Sequence, residues 1–89
     1  MREWADFTVE EDAAEAGATL ALVGPLRVWS MGDLDRRLDA VDTAIARIDL
    51  SAVPEIDTTG AWVALRFAEL HGAQITGASD KAQRLLRAI

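Results

Sequence analysis

Residues 49–62, DLSAVPEIDTTGAW, join an apolar, strand-like run to the start of an amphipathic helix. The run closes on Asp49 and Ser51, and Pro54 prevents a strand from continuing. Asp-Thr-Thr-Gly then follows at 57–60, and Asp and Thr are preferred N-caps because their side-chain oxygens accept bonds from unpaired backbone N–H groups. The same N–H groups and the helix dipole also favour an anion. The four residues are therefore either a helix cap alone or a cap that a partner also contacts.

Strand and helix patterns precede this segment. Alternation over 7–11 and an apolar run over Ala18–Val23 predict two strands that pair as a hairpin. Ser30 and Asp33 have the spacing of a capping box, which predicts a helix that begins there and ends near Thr43.

Strand and helix patterns also run through residues 49–62 and beyond them. Strand periodicity covers Ala44–Ser51, and a helix is predicted from the region of Gly60 to a stop at His71-Gly72. The apolar stripe of that helix is formed by Val63, Phe67 and Leu70. A short strand is predicted at 73–76, and Ser79 is expected to cap a last helix.

This order of elements predicts the fold class. Strands that alternate with helices are parallel neighbours joined by right-handed crossovers, and the opening hairpin adds an antiparallel pair. We expect one α/β domain over residues 1–89, with a mixed four-stranded sheet and about three helices mainly on one face.

Composition argues against several functional classes. The net charge of −6 repels phosphate backbones, so we expect no nucleic-acid binding. There is no cysteine, and the single histidine, His71, lies at a helix end, where capping or surface polarity explains it. The acids Glu10, Glu11, Asp12 and Glu15 do not follow calcium-loop spacing and suit a solvated turn. We expect no catalysis, no cofactor and no metal.

Nothing in the sequence resembles a membrane anchor. No apolar run approaches the ~20 residues that span a bilayer. The N-terminal residues MREWADFTVEED carry acids where a signal peptide has an apolar core. We expect a cytoplasmic domain that does not insert into membranes.

The segment IDLSAVPEIDTTGAWVAL, residues 48–65, resembles the core of a STAS domain (sulfate transporter and anti-sigma factor antagonist). In that family, a strand ending in Asp-x-Ser leads through a short loop to Asp-Ser/Thr-x-Gly at a helix start. The resemblance implies that Thr58 occupies the phosphorylation position. Typical anti-sigma factor antagonists carry two serines where this chain has Thr58 and Thr59, and DTTGAW is more similar to STAS domains of Mla-type ABC transporters, which move phospholipids between bacterial membranes.

The transporter branch implies an MlaB-like subunit or an N-terminal extension of an MlaE-type permease, fused after Ile89. Such a domain binds the ATPase subunit at the cytoplasmic face of the bacterial inner membrane. We predict that Thr58 is a phosphorylated or contacting residue. The further predicted contacts are Asp49, Ser51, Asp57, Thr59, Gly60, Trp62 and Leu65. The alternative is a partner-switching protein phosphorylated on Thr58 by an anti-sigma factor kinase, and a third possibility is a scaffold without regulation.

The sequence contains three tryptophans. Trp62 and Leu65 fall on the polar side of their helix, so Trp62 is either a binding hot spot or packs under the 52–56 loop or the last helix. We expect Trp29 to pack on the first helix as a hydrophobic staple and Trp4 to cover a sheet edge.

Overall fold

A computed structural model describes residues 4–11 and 17–89 of the chain. Within these residues the elements follow the predicted order. The strands are β1 (Asp6–Glu11), β2 (Ala18–Val23), β3 (Ile45–Ala52) and β4 (Gln74–Thr76). The helices are α1 (Leu34–Asp39), α2 (Thr58–His71) and α3 (Asp80–Ala88). Of the acids predicted to lie in the hairpin turn, Asp12 and Glu15 fall outside the described residues. Glu10 and Glu11 belong to β1 and pair with β2, so their predicted place in the turn is wrong.

The four strands form one mixed sheet in the order β1-β2-β3-β4. Strand β1 pairs with β2 antiparallel, and β2, β3 and β4 are parallel neighbours, which confirms the predicted sheet. The register shifts between β2 and β3, because Ala18 pairs with Ile45 while Thr19 pairs with Arg47. One extra residue of β3 is accommodated there, so that Ile45 and Ile48 both face the core.

The helices cover one face of this sheet. Along β2, buried residues alternate with half-buried ones, which is the pattern of a strand with one covered face. Helix α2 contacts β3 and β4 and also packs against α1 and α3. All three helices contribute side chains to a single apolar cluster with β2 and β3, including Leu34, Leu38, Phe67 and Ala82. The α/β architecture expected from the sequence is therefore confirmed.

The predicted capping box before α1 is wrong. Ser30 is fully buried, and its hydroxyl donates a hydrogen bond to the Pro25 carbonyl at 2.7 Å and accepts one from the Arg27 backbone N–H at 3.1 Å. This serine closes the turn before the helix. The N-cap of α1 is Asp33, whose side chain makes no capping bond. The helix also ends at Asp39, before the predicted position.

Helix α2 agrees with the prediction at its C-terminal end and differs along its stripe. Gly72 adopts a left-handed conformation with φ of 62° and caps the helix, as expected from the His-Gly stop. Leu70, however, is 66% exposed. The buried face is centred on small residues, Ala64 and Ala68, which allow α2 to approach the sheet closely. Leu70 lies outside that face, so its predicted place in the stripe is wrong.

Candidate partner-binding site at the start of helix α2

Among the predicted cap residues, Asp57 fixes the start of α2. Its carboxylate accepts a hydrogen bond from the backbone N–H of Gly60 at 2.8 Å through Oδ1 and another from Val28 at 2.9 Å through Oδ2. The Asp57 backbone N–H also donates to the Leu26 carbonyl at 3.2 Å. One residue thus caps the helix and ties it to the turn that follows β2.

The electrostatics of this carboxylate follow from its position. Burial raises the pKa of Asp57, but the hydrogen bonds from Gly60 and Val28 and the positive charge of Arg27 outweigh burial and hold the pKa below its ordinary value. The carboxylate is therefore charged at neutral pH and is occupied with its structural bonds.

Gly60 is required by close packing. A Cβ at this position would overlap the Leu26 carbonyl oxygen and lie 2.8 Å from the carbonyl carbon. Leu26 and Ile56 also form an isolated parallel bridge, so two segments meet at the first turn of α2. Gly60 is buried and unavailable for direct contact with a partner, which corrects its prediction as a contact residue.

Thr58 and Thr59 follow the cap and are exposed. The Asp57 carboxylate accepts the capping hydrogen bond from the Gly60 N–H, and in the described part of the chain neither threonine hydroxyl makes a hydrogen bond. Capping therefore does not account for these hydroxyls. Both remain accessible at the end of the helix where backbone N–H groups and the dipole favour negative charge.

Trp62 lies one turn further along α2 and is 52% exposed. The Arg66 guanidinium sits 5.4 Å from the centroid of its ring and forms an ion pair with Asp39 of α1 at 3.2 Å. The Trp62 ring therefore contacts Arg66 on one side and solvent on the other. Leu65 is half-buried. Of the two alternatives for Trp62, full packing under a loop or helix is wrong.

Asp49 and Ser51 form a separate local arrangement at the end of β3. The Asp49 carboxylate accepts hydrogen bonds from the Ser51 backbone N–H at 2.9 Å and from the Ser51 hydroxyl at 3.0 Å. Gly77 packs so closely here that a Cβ would lie 2.9 Å from the Ser51 nitrogen. No hydrogen bond within residues 4–11 and 17–89 links this pair to Asp57. The predicted site residues are thus held by two different sets of hydrogen bonds.

Val28 was not predicted to belong to the site, and its neighbour Trp29 was predicted to pack on α1. Val28 is 65% exposed, and its backbone N–H donates a hydrogen bond to the Asp57 carboxylate. Trp29 is 56% exposed, and since the N-cap of α1 is Asp33, Trp29 does not occupy the staple position next to it. We call the exposed residues at this helix start the α2-start surface, which consists of Val28, Thr58, Thr59 and Trp62.

Trp4 does not cover a sheet edge. The neighbouring Ala5 donates its backbone N–H to the Ser30 carbonyl at 2.8 Å, which places this segment beside the turn before α1. The Trp4 ring lies next to Gly32, and most of it is exposed.

Neither a metal site nor a membrane-spanning helix is found in the described residues. In 4–11 and 17–89, no three His, Cys, Asp or Glu side chains are grouped so that they could hold a metal ion. The helices found there are too short or too polar to cross a bilayer.

No protein-family model matches the sequence, and no curated protein matches it either. Among solved structures, one match is an uncharacterized protein of the DUF3478 family with a SpoIIAA-like fold from Shewanella loihica PV-4. The match has 18% sequence identity and a TM-score of 0.45, and it covers 96% of this chain and 75% of that chain. At this identity and TM-score, nothing about family or function follows from the likeness.

Proposed function

We propose that this chain is a non-catalytic STAS-type domain that binds the ATPase subunit of an Mla-type ABC transporter through the α2-start surface. The observation that carries the proposal is that the Thr58 and Thr59 hydroxyls are exposed and unused in capping, beside a half-exposed Trp62. The resemblance of DTTGAW, residues 57–62, to the STAS domains of the transporter branch supplies the partner class.

The side chains of the α2-start surface suit a protein interface. Tryptophan is enriched among binding hot spots because its ring buries a large area and its indole N–H donates a hydrogen bond. Trp62 and Val28 would supply apolar area, while the two threonine hydroxyls supply hydrogen-bonding groups at its margin. Charged residues are depleted from the centre of interfaces, and the nearest carboxylate, Asp57, has its two oxygens engaged in backbone hydrogen bonds.

The backbone beneath this surface is fixed by contacts within the domain. The Asp57 bonds fix the helix start against the turn, and the close contact of Gly60 with Leu26 leaves little room for displacement. A pre-organised surface loses less conformational entropy on binding, so a small contact area can give useful affinity. The partner would bind at the cytoplasmic face of the inner membrane, next to an MlaE-type permease.

Binding of the purified ATPase subunit to this domain tests the proposal. Thr58→Glu places a charge in the surface, and Trp62→Ala removes its main apolar group, so each should weaken binding by about tenfold or more, a loss of roughly 1.4 kcal/mol. Leu70→Ala is the matched control, because Leu70 is also an exposed apolar residue of α2 but lies beyond the surface. Unchanged affinity in both surface variants would remove this placement of the interface.

A second function is favoured by the accessibility of Thr58. A serine/threonine kinase of the anti-sigma factor type would transfer the γ-phosphoryl group of ATP to the Thr58 hydroxyl and release ADP. The phosphate adds about −1.5 to −2 charges at a helix start, where the dipole stabilises negative charge. It would lie beside the charged Asp57 and change the potential that a partner meets.

Phosphorylation is tested with the cognate kinase and the pair Thr58→Ala and Thr59→Ala. Incorporation that is lost in the first variant and kept in the second would support partner switching. An active kinase that leaves the wild-type domain unmodified would exclude it, and the transporter proposal would be unaffected.

A further inference from the structure

Positive charge is concentrated in α3 of an otherwise acidic chain. Residues 80–89 contain Lys81, Arg84 and Arg87 against one acid, Asp80, while the whole chain has nine basic and fifteen acidic residues. The last helix therefore carries a net positive charge in a protein whose net charge is −6.

The three basic residues form one ridge on the outer side of α3, which we call the α3 basic ridge. Residues three apart on a helix are neighbours, so Lys81, Arg84 and Arg87 follow one another over a span of about 9 Å. The opposite side of α3 faces the core, where Ala82 is buried and Leu85 and Leu86 pack against the apolar cluster. All three basic side chains are exposed.

The ridge has no partner in the described residues. Asp80 lies four residues before Arg84, the spacing of a helical ion pair, yet the two side chains form none. Neither Lys81 nor Arg87 has a side-chain hydrogen bond or ion pair to residues 4–11 or 17–89. Ion pairs do hold basic side chains elsewhere in the fold, namely Arg27, Arg36, Arg37 and Arg66.

Helix stability does not account for the ridge. Arg87, in the last turn, complements the negative end of the helix dipole. Lys81 lies in the first turn, where a positive charge opposes the dipole. The helix dipole therefore explains Arg87 but not Lys81.

We propose that the α3 basic ridge binds an acidic segment of a partner protein, on a surface separate from the α2-start surface. Two of its three cations are arginines, whose planar guanidinium groups bind carboxylates in a bidentate manner. A membrane surface fits less well, since lipid-binding clusters contain about 4–8 basic residues and interfacial helices insert a free apolar face. In α3 the apolar face is already packed in the core.

The test uses a synthetic alanine-based helical peptide with glutamates at every third or fourth position, titrated into the labelled domain and followed by NMR. We expect shifts in the backbone signals of α3. Combined Lys81→Gln, Arg84→Gln and Arg87→Gln should weaken binding about tenfold, since each of three exposed ion pairs contributes roughly a factor of two. Arg36→Gln, which changes an exposed arginine of α1, should leave the affinity unchanged. Circular dichroism verifies that the triple variant folds.

Several outcomes would overturn the proposal. One is peptide affinity that is the same in the triple variant as in the wild type. Another is binding to phosphatidylserine vesicles, lost in the triple variant, with no binding to the peptide, which would assign the ridge to membranes. Concentration-dependent self-association that the triple variant abolishes would make the occupant a second copy of this chain. Trp62→Ala should not change peptide binding, so failure here and failure of the proposed ATPase contact are distinguishable.

Discussion

Replacing Asp57 with alanine should destabilise the domain by removing both functions of its carboxylate. The substitution eliminates hydrogen bonds of 2.8 Å to the Gly60 N–H and 2.9 Å to the Val28 N–H. Loss of an N-cap costs about 1 kcal/mol, and loss of a second hydrogen bond to a charged group costs about 1.5 kcal/mol. We therefore expect unfolding to become easier by about 2–3 kcal/mol, which lowers Tm by roughly 10–20 °C in a domain of this size.

Urea unfolding followed by circular dichroism measures this loss directly. Thr58→Ala is the matched control, because its hydroxyl makes no hydrogen bond in the described residues and a surface substitution changes stability by about 0.5 kcal/mol or less. The reasoning is refuted if Asp57→Ala is as stable as Thr58→Ala. It is also refuted if the alanine variant loses stability through a changed m-value alone.

The pH dependence of Asp57 gives a second test. Its pKa in the folded state lies below the ordinary value, so its contribution to stability is fully present above the pKa of the unfolded chain, about 4. That contribution disappears as the pH falls through the lower, folded-state pKa. The stability difference between wild type and Asp57→Asn should therefore shrink as the solution is acidified below about pH 4. A difference that stays constant over this range would contradict the effect of the Asp57 charge on stability.

Two further pairs of variants test the packing around α2. Gly60→Ala should cost about 3 kcal/mol or more, because the added methyl group overlaps the Leu26 carbonyl, whereas Gly72→Ala meets open space and should cost only about 1 kcal/mol for its left-handed backbone. Leu20→Ala should cost about 2–5 kcal/mol because Leu20 is fully buried in β2, and Leu70→Ala should be near neutral. Thermal melts of the four variants measure both differences, and equal losses within either pair would contradict the packing described.

The fold was predictable for those strands and helices that bury one face, because burial of one face sets the spacing of apolar residues in the sequence. The boundaries of β2 and the end of α2 at Gly72 could be inferred from alternation and from the His-Gly stop. The start of α1 could not be inferred, because Ser30 and Asp33 match a capping box in spacing while the Ser30 hydroxyl bonds to the turn that precedes it. Sequence spacing does not record which backbone groups a buried hydroxyl reaches.

The candidate site was predictable in outline and incomplete in detail. Asp57, Thr58 and Thr59 are all plausible caps from their side chains, and the backbone decides between them: Asp57 is extended, with φ of −114° and ψ of −178°, and the threonines are already helical. Nothing in the sequence indicated that Val28 belongs to the site, because its place beside Asp57 depends on a contact between segments that are distant in sequence.

The most direct test of the central claim is amide hydrogen exchange of this domain with and without a saturating amount of the ABC ATPase subunit. Thr58 and Thr59 lie in the first helical turn, where N–H groups lack partners within the helix and exchange readily unless a partner covers them. The account predicts slower exchange in the peptides that contain Val28 and residues 58–62. Protection confined to other parts of the domain, with this helix start unchanged, would contradict it.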